Sequence, residues 1–559
     1  MSNPKLILDY VFDHEAAQPD KVYLTQPYDG GKVIDYTWAE TLDQARRMAA
    51  HLQTLGFERG ARIAMLSKNC AHFFMAELAI WMAGGTTVAI FPTETSHTIR
   101  YVLEHSEASL LFVGKLDTFD QQASGIPAKL PCIAFPLAPT TTFEAWDDIV
   151  ARTQPLSGRP RREPDDLAML MYTSGSTGQP KGVMHSFERI TRASEHIVQH
   201  TESLIGRRTH GRSISYLPLA HVFERAWVEC ASMVSGKGQL FFAEALDTFL
   251  QDLQRARPTT FISVPRLWLK FQQGVLTKMP AEKLERLLRI PLVGGLVGRK
   301  VLKGLGLDQV LLAGSGSAPI SAELIAWYRR LGLNLMEGYA MTEDFAYSHN
   351  SSPTLNEPGY VGSPAAGVQA RIGEDGEILI KSPGQMIGYY KRPELNAECF
   401  TEDGFFRTGD RGEYRADGLL KITGRTKELF KTSKGKYIAP APIENLLYAS
   451  PLLEMAMVSG SGQRAPCALV VLAEELRPRM CDSIVRNRTE DQLYQLLKEV
   501  NRKLADYEQL QMLIVLPEPW TIENGCLTPT MKVKRHRIET ILNEKIEAWY
   551  QSEASVQWA

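Results

Sequence analysis

The sequence predicts an α/β protein with a large N-terminal domain, which includes a small antiparallel β subdomain, and a small α+β C-terminal domain. Three patterns along the 559 residues support this prediction. Up to about residue 365, continuous apolar runs alternate with helical stretches, which is typical of mostly parallel sheets covered by helices. Between about 366 and 424, short apolar runs flank tight turn signals, and after 428 short strands accompany long helical stretches.

Six apolar runs are predicted to form strands of the N-terminal sheets. They are residues 61–66, 109–113, 167–172, 213–217, 260–264 and 310–312. The most apolar stretch, 73–91, is long enough to cross a membrane. The glycine pair at 84–85 instead predicts a helix that ends before a buried strand at 86–91.

The rest of the chain gives weaker but consistent signals. Asp375-Gly376 and Asp417-Gly418 each lie between short apolar runs, so both predict hairpin turns of an antiparallel sheet. Beyond residue 428, the pattern predicts a helix over 490–510, a strand over 511–516 and a last helix from about 536. These elements indicate a compact α+β unit.

Composition excludes several classes of protein. Apolar residues make up 44% and charged residues 23%, which rules out a collagen-like, disordered or disulfide-stapled chain. With 62 basic and 64 acidic residues, nucleic acid is not expected as the main partner. Seven scattered cysteines without a Cys-x-x-Cys pair predict reduced thiols and a cytoplasmic protein, with peripheral attachment at the inner membrane left open.

The strongest chemical signal is the segment from Tyr172 to Gly182, directly after a predicted strand. Its glycines allow backbone N–H groups to point inward as an anion nest, and Lys181 adds a mobile positive charge. Pro180 precedes that lysine, so the segment is not a Walker A loop. We expect it to bind a polyphosphate; the alternative is a flexible polar surface loop. The residues predicted to line it are Thr173, Ser174, Gly175, Ser176, Thr177 and Gly178.

This segment resembles the phosphate loop of the adenylate-forming, AMP-binding superfamily, which comprises acyl-CoA synthetases, luciferases and peptide-synthetase adenylation domains. Further matches follow in the family's order over nearly the whole chain. Residues 215–225 resemble the segment typical of long-chain acyl-CoA synthetases. The resemblance implies that His221 and Arg225 border the acyl site, whereas His221 considered alone would be a buried core histidine.

The resemblance also implies the nucleotide contacts. Residues 338–343 match the aromatic-Gly-x-Thr-Glu motif, in which Tyr339 would stack on adenine beside Gly338. Thr342 would then bond the α-phosphate and Glu343 would help to hold Mg²⁺. Residues 313–319 resemble the loop beside the adenine, which implies contacts from Gly316, Ser317 and Ala318.

Four further residues are assigned by similarity to the family's later motifs. Asp410 would bind both ribose hydroxyls, Arg425 would contact the nucleotide and Lys427 would be the hinge between domains. Lys532 would be the adenylation lysine, with Lys534 as the competing candidate. The implied organisation is an AMP- and acyl-binding domain over 1–424, with its antiparallel β subdomain at about 366–424, a hinge over 425–427 and a mobile C-terminal lid domain over 428–559.

Taken together, the matches imply an ATP-dependent fatty acyl-CoA synthetase that adenylates a medium- or long-chain acid and then transfers the acyl group to coenzyme A. ATP, Mg²⁺ and coenzyme A are the expected cofactors and co-substrates, and catalysis is expected from Lys181, Thr342, Glu343 and Lys532. Three alternatives stay open: transfer to a carrier protein, closure of a 3-hydroxy acid to a β-lactone, or a non-catalytic nucleotide or acyl sensor. A homodimer also stays open. The apolar and basic segment 290–303 is expected to be a buried turn and helix, with peripheral membrane contact as the alternative.

Overall fold

Helices pack on both faces of an eight-stranded sheet at the centre of the N-terminal domain. The computed structural model describes residues 4–173, 179–207, 210–528, 531–552 and 554–559. The helices in these ranges are α1 (Ile7–Ala17), α2 (Trp38–Thr54), α3 (Ala71–Met82), α4 (Ser96–Ser106), α5 (Phe119–Gln122), α6 (Trp146–Arg152), α7 (Phe187–Ile205), α8 (Val222–Glu224), α9 (Ala231–Ser235), α10 (Phe249–Ala256), α11 (Pro265–Lys278), α12 (Ala281–Leu288), α13 (Val293–Gly304), α14 (Ala322–Leu331), α15 (Pro393–Cys399), α16 (Pro440–Tyr448), α17 (Ser483–Asn501) and α18 (Arg535–Gln551).

The strands in the described ranges, again in chain order, belong to six sheets. They are β1 (Val22–Tyr28), β2 (Lys32–Thr37), β3 (Arg62–Leu66), β4 (Thr86–Ile90), β5 (Leu110–Val113), β6 (Cys132–Ala134), β7 (Glu144–Ala145), β8 (Leu167–Thr173), β9 (Lys181–Ser186), β10 (Gly211–Ser215), β11 (Gly238–Phe242), β12 (Thr260–Ser263), β13 (Leu312–Ser315), β14 (Leu335–Tyr339), β15 (His349–Asn350), β16 (Ser363–Pro364), β17 (Gln369–Ile372), β18 (Glu377–Lys381), β19 (Gly388–Tyr389), β20 (Phe406–Tyr414), β21 (Leu420–Arg425), β22 (Phe430–Lys431), β23 (Tyr437–Ile438), β24 (Leu453–Ser459), β25 (Cys467–Leu472), β26 (Leu513–Val515) and β27 (Val556–Trp558).

Three of the described sheets in the N-terminal domain contain parallel strands, although β14-β15-β16 and β1-β2 pair antiparallel. The largest has the order β19-β9-β8-β4-β3-β5-β6-β7, in which the strands from β8 to β7 are parallel and β9 and β19 close one edge antiparallel. The others are β12-β13-β14-β15-β16 and β10-β11-β1-β2. Because β8, β13 and β14 each end directly before a motif segment, the carboxyl ends of these strands carry the candidate site.

The predicted antiparallel subdomain is the sheet β17-β18-β20-β21. Both Asp-Gly pairs form its hairpin turns, with Ile372 opposite Ile378 and Tyr414 opposite Leu420. A register shift follows between β20 and β21, so that Asp410 lies directly opposite Arg425. A bulge of this kind redirects side chains at the end of a hairpin, and here it makes neighbours of two predicted nucleotide contacts.

The small C-terminal domain is built on the sheet β24-β25-β26-β27, with α16, α17 and α18 packed around it. The ion pair between Arg266 on α11 and Glu454 on β24, at 2.5 Å, connects it to the large domain. Helix α17 begins before the predicted helix because the Asp482 side chain caps it through the Ile484 and Val485 amides. It ends at Asn501, whose side chain donates to the Leu510 carbonyl and accepts from the Leu510 amide.

The structure confirms one prediction about an apolar segment and contradicts part of another. Residues 73–91 form α3, a turn at Gly84 with φ of 91°, and β4, as predicted. Over the described ranges, the helices include none that is both long and apolar enough to span a membrane. The segment 290–303 forms the expected turn and helix, but the prediction that it is buried was wrong, because Leu292 is 90% exposed.

Candidate active site

A buried carboxylate lies where β14 meets the antiparallel sheet. Strand β14 ends with Gly338 and Tyr339, and the Tyr339 hydroxyl donates to Asp410 Oδ2 at 2.7 Å. Arg425 Nε donates to Asp410 Oδ1 at 2.8 Å. Burial raises the pKa of Tyr339, and Asp410 raises the pKa of Arg425. Each carboxylate oxygen has a further lone pair, so Asp410 can accept bonds from a vicinal diol while these contacts persist.

The loop after β13 leaves room for a flat ring. Gly316 is buried, and a Cβ there would lie 3.2 Å from Cζ of Phe223. Ser317 has φ of 68°, which is uncommon for a residue other than glycine, and both Ser317 and Ala318 are exposed. Small side chains beside an aromatic ring and an open backbone suit the predicted contact with adenine.

The predicted phosphate contacts follow β14. His185 on β9 bonds the Thr342 carbonyl oxygen through Nε2 at 2.8 Å. Burial lowers the pKa of His185 to about 4, so the neutral ring donates this bond. The next residue, Glu343, accepts a hydrogen bond from the Tyr389 hydroxyl at its Oε1 atom, at 2.7 Å. Two different strands therefore fix the positions of Thr342 and Glu343.

Tyr389 is a candidate functional residue that the sequence analysis missed. Its hydroxyl orients Glu343, and its ring centroid lies 5.1 Å from Lys181 Nζ, within reach of a cation–π contact. It pairs with Val183 of β9, and Asn396 bonds both its backbone N–H and its carbonyl. In the sequence, only an aromatic pair after a glycine marks this position, which is a weak signal.

Positive charge gathers around these carboxylates. Burial lowers the pKa of Lys181, and the neighbouring charge of Lys427 lowers it further. Lys532 is open to solvent, yet enough protein surrounds it that burial lowers its pKa, as does the nearby Arg425. Asp410 and Glu343 act on the pKa of Lys532 in the opposite direction. Such a surplus of cations suits a polyphosphate, which would neutralise it.

The two candidate adenylation lysines lie in different surroundings. Lys532 also acts on His221, whose pKa falls to about 3 through burial and this charge. Its positive charge therefore reaches both the nucleotide side and the acyl side of the site. Lys534 instead lies near Glu94. Burial raises the pKa of Glu94, and the charge of Lys534 acts to lower it. Lys532 stays the predicted adenylation lysine, since the groups it acts on include predicted nucleotide and acyl contacts.

The structure separates the two predicted acyl-site residues. His221 is partly exposed and accepts a bond from the Phe223 amide at Nδ1, at 3.2 Å, which leaves its proton on Nε2. Arg225 is fully buried in a π-helical turn, where it pairs with Glu77 and, at 3.1 Å, with Glu229. These ion pairs give Arg225 a supporting position behind the site, and its contact with an acyl group stays a prediction.

The structure describes only the two ends of the predicted phosphate loop. Thr173 ends β8 and pairs with Lys181, the first residue of β9. The residues of this prediction that lie outside the described ranges are Ser174, Gly175, Ser176, Thr177 and Gly178. The described flanks therefore place the two ends of the loop on adjacent strands of the central sheet.

The carboxylate of Glu343 is the kind of ligand that Mg²⁺ prefers. No group of three or more His, Cys, Asp or Glu side chains among the described residues could hold a metal ion. Mg²⁺ commonly uses one or two carboxylates and completes its shell with water and substrate phosphates. Glu343, oriented by Tyr389 beside Lys181, offers one such carboxylate next to the predicted phosphate position.

Two family models match most of the chain. Residues 11–390 match the family model described as AMP-binding enzyme, and residues 428–554 match the AMP-binding enzyme C-terminal domain. The chain belongs to the AMP-binding enzyme family. The resemblance stated from its motifs is therefore confirmed.

Relatives of this AMP-binding enzyme match it over most of their length. It is 31% identical to the long-chain-fatty-acid–CoA ligase FadD15 of Mycobacterium bovis, covering 97% of this chain and 96% of that protein. It is 28% identical to long-chain-fatty-acid–CoA ligase 1 of Homo sapiens, covering 87% of this chain and 78% of that protein.

Solved structures confirm the predicted fold class of this AMP-binding enzyme. The A domain of carboxylic acid reductase from Segniliparus rugosus, in complex with AMP, superposes with a TM-score of 0.81 at 24% identity, covering 98% of this chain and 94% of that chain. The anthranilate CoA ligase AuaEII, in complex with anthranoyl-AMP, gives a TM-score of 0.77 at 19% identity, covering 98% and 99%. Identities this low establish the shared fold alone.

Proposed function

We propose that the chain is an ATP-dependent fatty acyl-CoA synthetase. It adenylates a medium- or long-chain carboxylic acid with release of pyrophosphate, then transfers the acyl group to coenzyme A with release of AMP. The observation that carries the proposal is the pair of oriented carboxylates: Asp410 held by Tyr339 and Arg425, and Glu343 held by Tyr389 beside Lys181. Relatives named long-chain-fatty-acid–CoA ligases support the substrate class.

The first half-reaction brings two anions together. A carboxylate oxygen attacks the α-phosphorus of ATP, and pyrophosphate leaves, so charge neutralisation and alignment dominate the catalysis. Asp410 and Tyr339 would position the nucleoside, and Lys181 would hold the departing phosphates. Lys532 would bridge the acid and the α-phosphate, where negative charge is concentrated in the transition state.

Glu343 would hold Mg²⁺ with the help of Tyr389. The bound ion would offset phosphate charge and orient the leaving pyrophosphate. The neutral His185 would keep the Thr342 backbone in place through its hydrogen bond, so that the Thr342 side chain can reach the α-phosphate.

The second half-reaction needs a different set of groups. A thiol attacks the acyl-adenylate and displaces AMP, and Lys532 is no longer required. We propose a division into residues 1–424, with the antiparallel subdomain from about 366, a hinge over 425–427, and residues 428–559 as a lid that turns about Lys427. The turn that follows β21 contains Lys427 and is the covalent connection between the two units.

Acid-dependent pyrophosphate release tests the proposal. The purified chain would be assayed with ATP, Mg²⁺ and saturated, unsaturated and 3-hydroxy acids of increasing length, each with and without coenzyme A. We expect turnover that requires coenzyme A and yields an acyl-CoA. Turnover that ignores coenzyme A would overturn the thiol step, and silence with every acid would overturn the synthetase itself.

A further inference from the structure

Four large apolar side chains are exposed together where α12 turns into α13. Leu292 is 90% exposed and Leu296 is 67% exposed, and Ile290 and Val293 are 46% and 39% exposed. An apolar residue exposed singly is ordinary, but four within one short turn and helix start form a contiguous patch. Such a patch marks a surface that contacts something other than water.

Helix α13 presents this patch because its opposite face is fixed to the protein. Gly294, Gly298 and Leu302 recur every four residues and are buried. A Cβ at Gly294 would lie 2.3 Å from the Leu288 carbonyl oxygen, and one at Gly298 would lie 2.5 Å from that of Leu331. Only glycine permits this close backbone packing. The residues left on the outer face are Leu292, Val293, Leu296, Lys300 and Lys303.

The backbone holds Leu292 at the tip of the patch under strain. Leu292 has φ of 67° and ψ of −46°, and the Val293 amide bonds the Pro291 carbonyl at 2.8 Å. This is a γ-turn with positive φ at its centre, which is rare and unfavourable for any residue except glycine. A glycine at position 292 would relieve the strain, whereas leucine keeps an apolar group in solvent.

The same surface is positively charged. Its exposed cations are Arg289, Arg299, Lys300 and Lys303. No acidic residue occurs between positions 287 and 307. The flanking acids Glu285 and Asp308 pair with Arg330 and Arg257 and not with the cations of the patch.

We propose that residues 289–303 form a docking surface for an anionic lipid bilayer. Leu292 and Leu296 would enter the boundary between headgroups and acyl chains, while the cations contact the headgroup phosphates. A second copy of the chain is a poorer occupant, because a symmetric contact would oppose two cationic patches. The inference rests on the proposed function only in the choice of partner, since a fatty acid substrate dissolves in bilayers.

Vesicle flotation of the full chain tests this surface. Vesicles of phosphatidylcholine, alone or mixed with phosphatidylglycerol, would serve as the probe. We expect the wild-type chain to float with the anionic vesicles and to be released at high salt, because exposed charges are then screened. Phosphatidylcholine alone should bind it weakly.

Two double variants separate the apolar and ionic contributions. Leu292→Gly with Leu296→Asn should weaken binding by roughly tenfold or more, without lowering thermal stability, because the glycine relieves strain. Lys300→Glu with Lys303→Glu should weaken binding by at least roughly fivefold per lysine. The matched control is Leu246→Ser with Lys129→Glu, which changes an exposed leucine and lysine elsewhere and should bind as the wild type does.

Several outcomes would overturn the docking surface. One is a wild-type chain that ignores anionic vesicles, and another is flotation that the two patch variants leave unchanged. A patch that instead controls self-association, seen as a change of mass in light scattering, would assign it to a second copy. Pyrophosphate release with octanoate in vesicle-free buffer should be equal in wild type and variants. A wild-type chain that floats but never releases pyrophosphate would contradict the proposed function and leave the docking surface standing.

Discussion

Lys532 and Lys534 are two positions apart, yet their charges act on different parts of the molecule. Lys532 acts on His221 and on the carboxylates of Glu343, after β14, and Asp410, on β20, whereas Lys534 acts on Glu94. We predict that Lys532→Ala lowers the adenylation rate roughly 10²–10³-fold, the scale for losing a donor aimed at transition-state charge. Pyrophosphate exchange driven by the acid measures this rate directly.

Lys534→Ala is the matched control for this prediction. It removes the same side chain from the same segment, so a general effect on folding would appear in both variants. Near wild-type exchange in Lys532→Ala, together with a dead Lys534→Ala, would transfer the assignment to Lys534.

Tyr389 offers a second test at the level of one atom. Tyr389→Phe removes the hydroxyl that bonds Glu343 but keeps the ring beneath Lys181. A hydrogen bond to a charged group contributes about 1.5–3 kcal/mol, so we expect a loss of at least about tenfold in pyrophosphate exchange. The Mg²⁺ concentration for half-maximal exchange should rise as well, because Glu343 loses its orientation.

The neighbouring Tyr390 supplies the control for that variant. Its hydroxyl bonds Glu107 at 3.1 Å on the exposed surface, away from Glu343. Tyr390→Phe should therefore leave the Mg²⁺ dependence unchanged. If the two variants behave alike, or if Tyr389→Phe changes the rate without changing the Mg²⁺ dependence, Tyr389 does not position Glu343.

At the level of elements, sequence reasoning worked where one local signal decides the structure. The glycine at position 84 ends α3, and the two Asp-Gly pairs form the hairpins of the antiparallel sheet. The sequence interpretation placed β13 too early, at 310–312. The strand begins at Leu312 and continues through Ala313, Gly314 and Ser315. Small residues give little apolar signal, yet β12 and β14 pair with them on both sides.

In the candidate site, too, local motifs could be predicted from the sequence, whereas features set by tertiary pairing could not. Motif residues such as Asp410 and Arg425 could be named from the sequence, but the bulge that sets them opposite each other could not, since strand register depends on tertiary pairing. Tyr389 was missed because its role depends on the pairing of β19 with β9, whose sequences are far apart. The exposure of Leu292 was also missed, because apolar periodicity does not indicate which side of a helix is covered.

The turn after β21 carries a prediction at this scale. Lys427→Pro fixes φ at the proposed hinge, so it should slow transfer to coenzyme A far more than adenylation. Single-turnover measurement of each half-reaction would separate the two steps. Lys427→Ala, which removes the side chain but leaves φ free, is the control and should not show this imbalance. Equal loss in both half-reactions of Lys427→Pro would contradict the hinge assignment.

For the molecule as a whole, stability is linked to a group of buried charges behind the acyl side of the site. Arg225, Glu77 and Glu229 are fully buried together, and Glu224 lies next to them in the chain. Glu224 accepts bonds from the Tyr216 amide at 3.2 Å and from Asn69, but its Oε2 atom has no hydrogen-bond partner in the described part of the chain. Burial raises the pKa of Glu224 to about 8, so its carboxyl group keeps its proton in the folded protein at neutral pH.

This pKa predicts one contribution to the pH dependence of stability, and Glu337 and Asp344, whose pKa values burial also raises to about 8, contribute in the same direction. The unfolded chain releases the Glu224 proton near pH 4.5, whereas the folded chain keeps it until about pH 8. The stabilisation is therefore complete below pH 4.5 and is lost as pH rises through 8. Between pH 6.5 and 8, this one group should cost the folded state about 2 kcal/mol. Well above pH 6.5, the histidines whose pKa values are lowered are neutral in both states and do not obscure the trend.

Glu224→Gln should flatten that decline, because glutamine has the same shape and no charge to bury. Thermal unfolding from pH 6.5 to 9 would show a melting temperature that falls less steeply than in the wild type, so that the difference between the two proteins grows with pH. Glu282→Gln, on the exposed surface of α12, should follow the wild-type curve. Parallel curves for Glu224→Gln and the wild type would mean that Glu224 is already ionised in the folded protein at neutral pH. The buried group would then carry an additional negative charge beside the Arg225 ion pairs with Glu77 and Glu229.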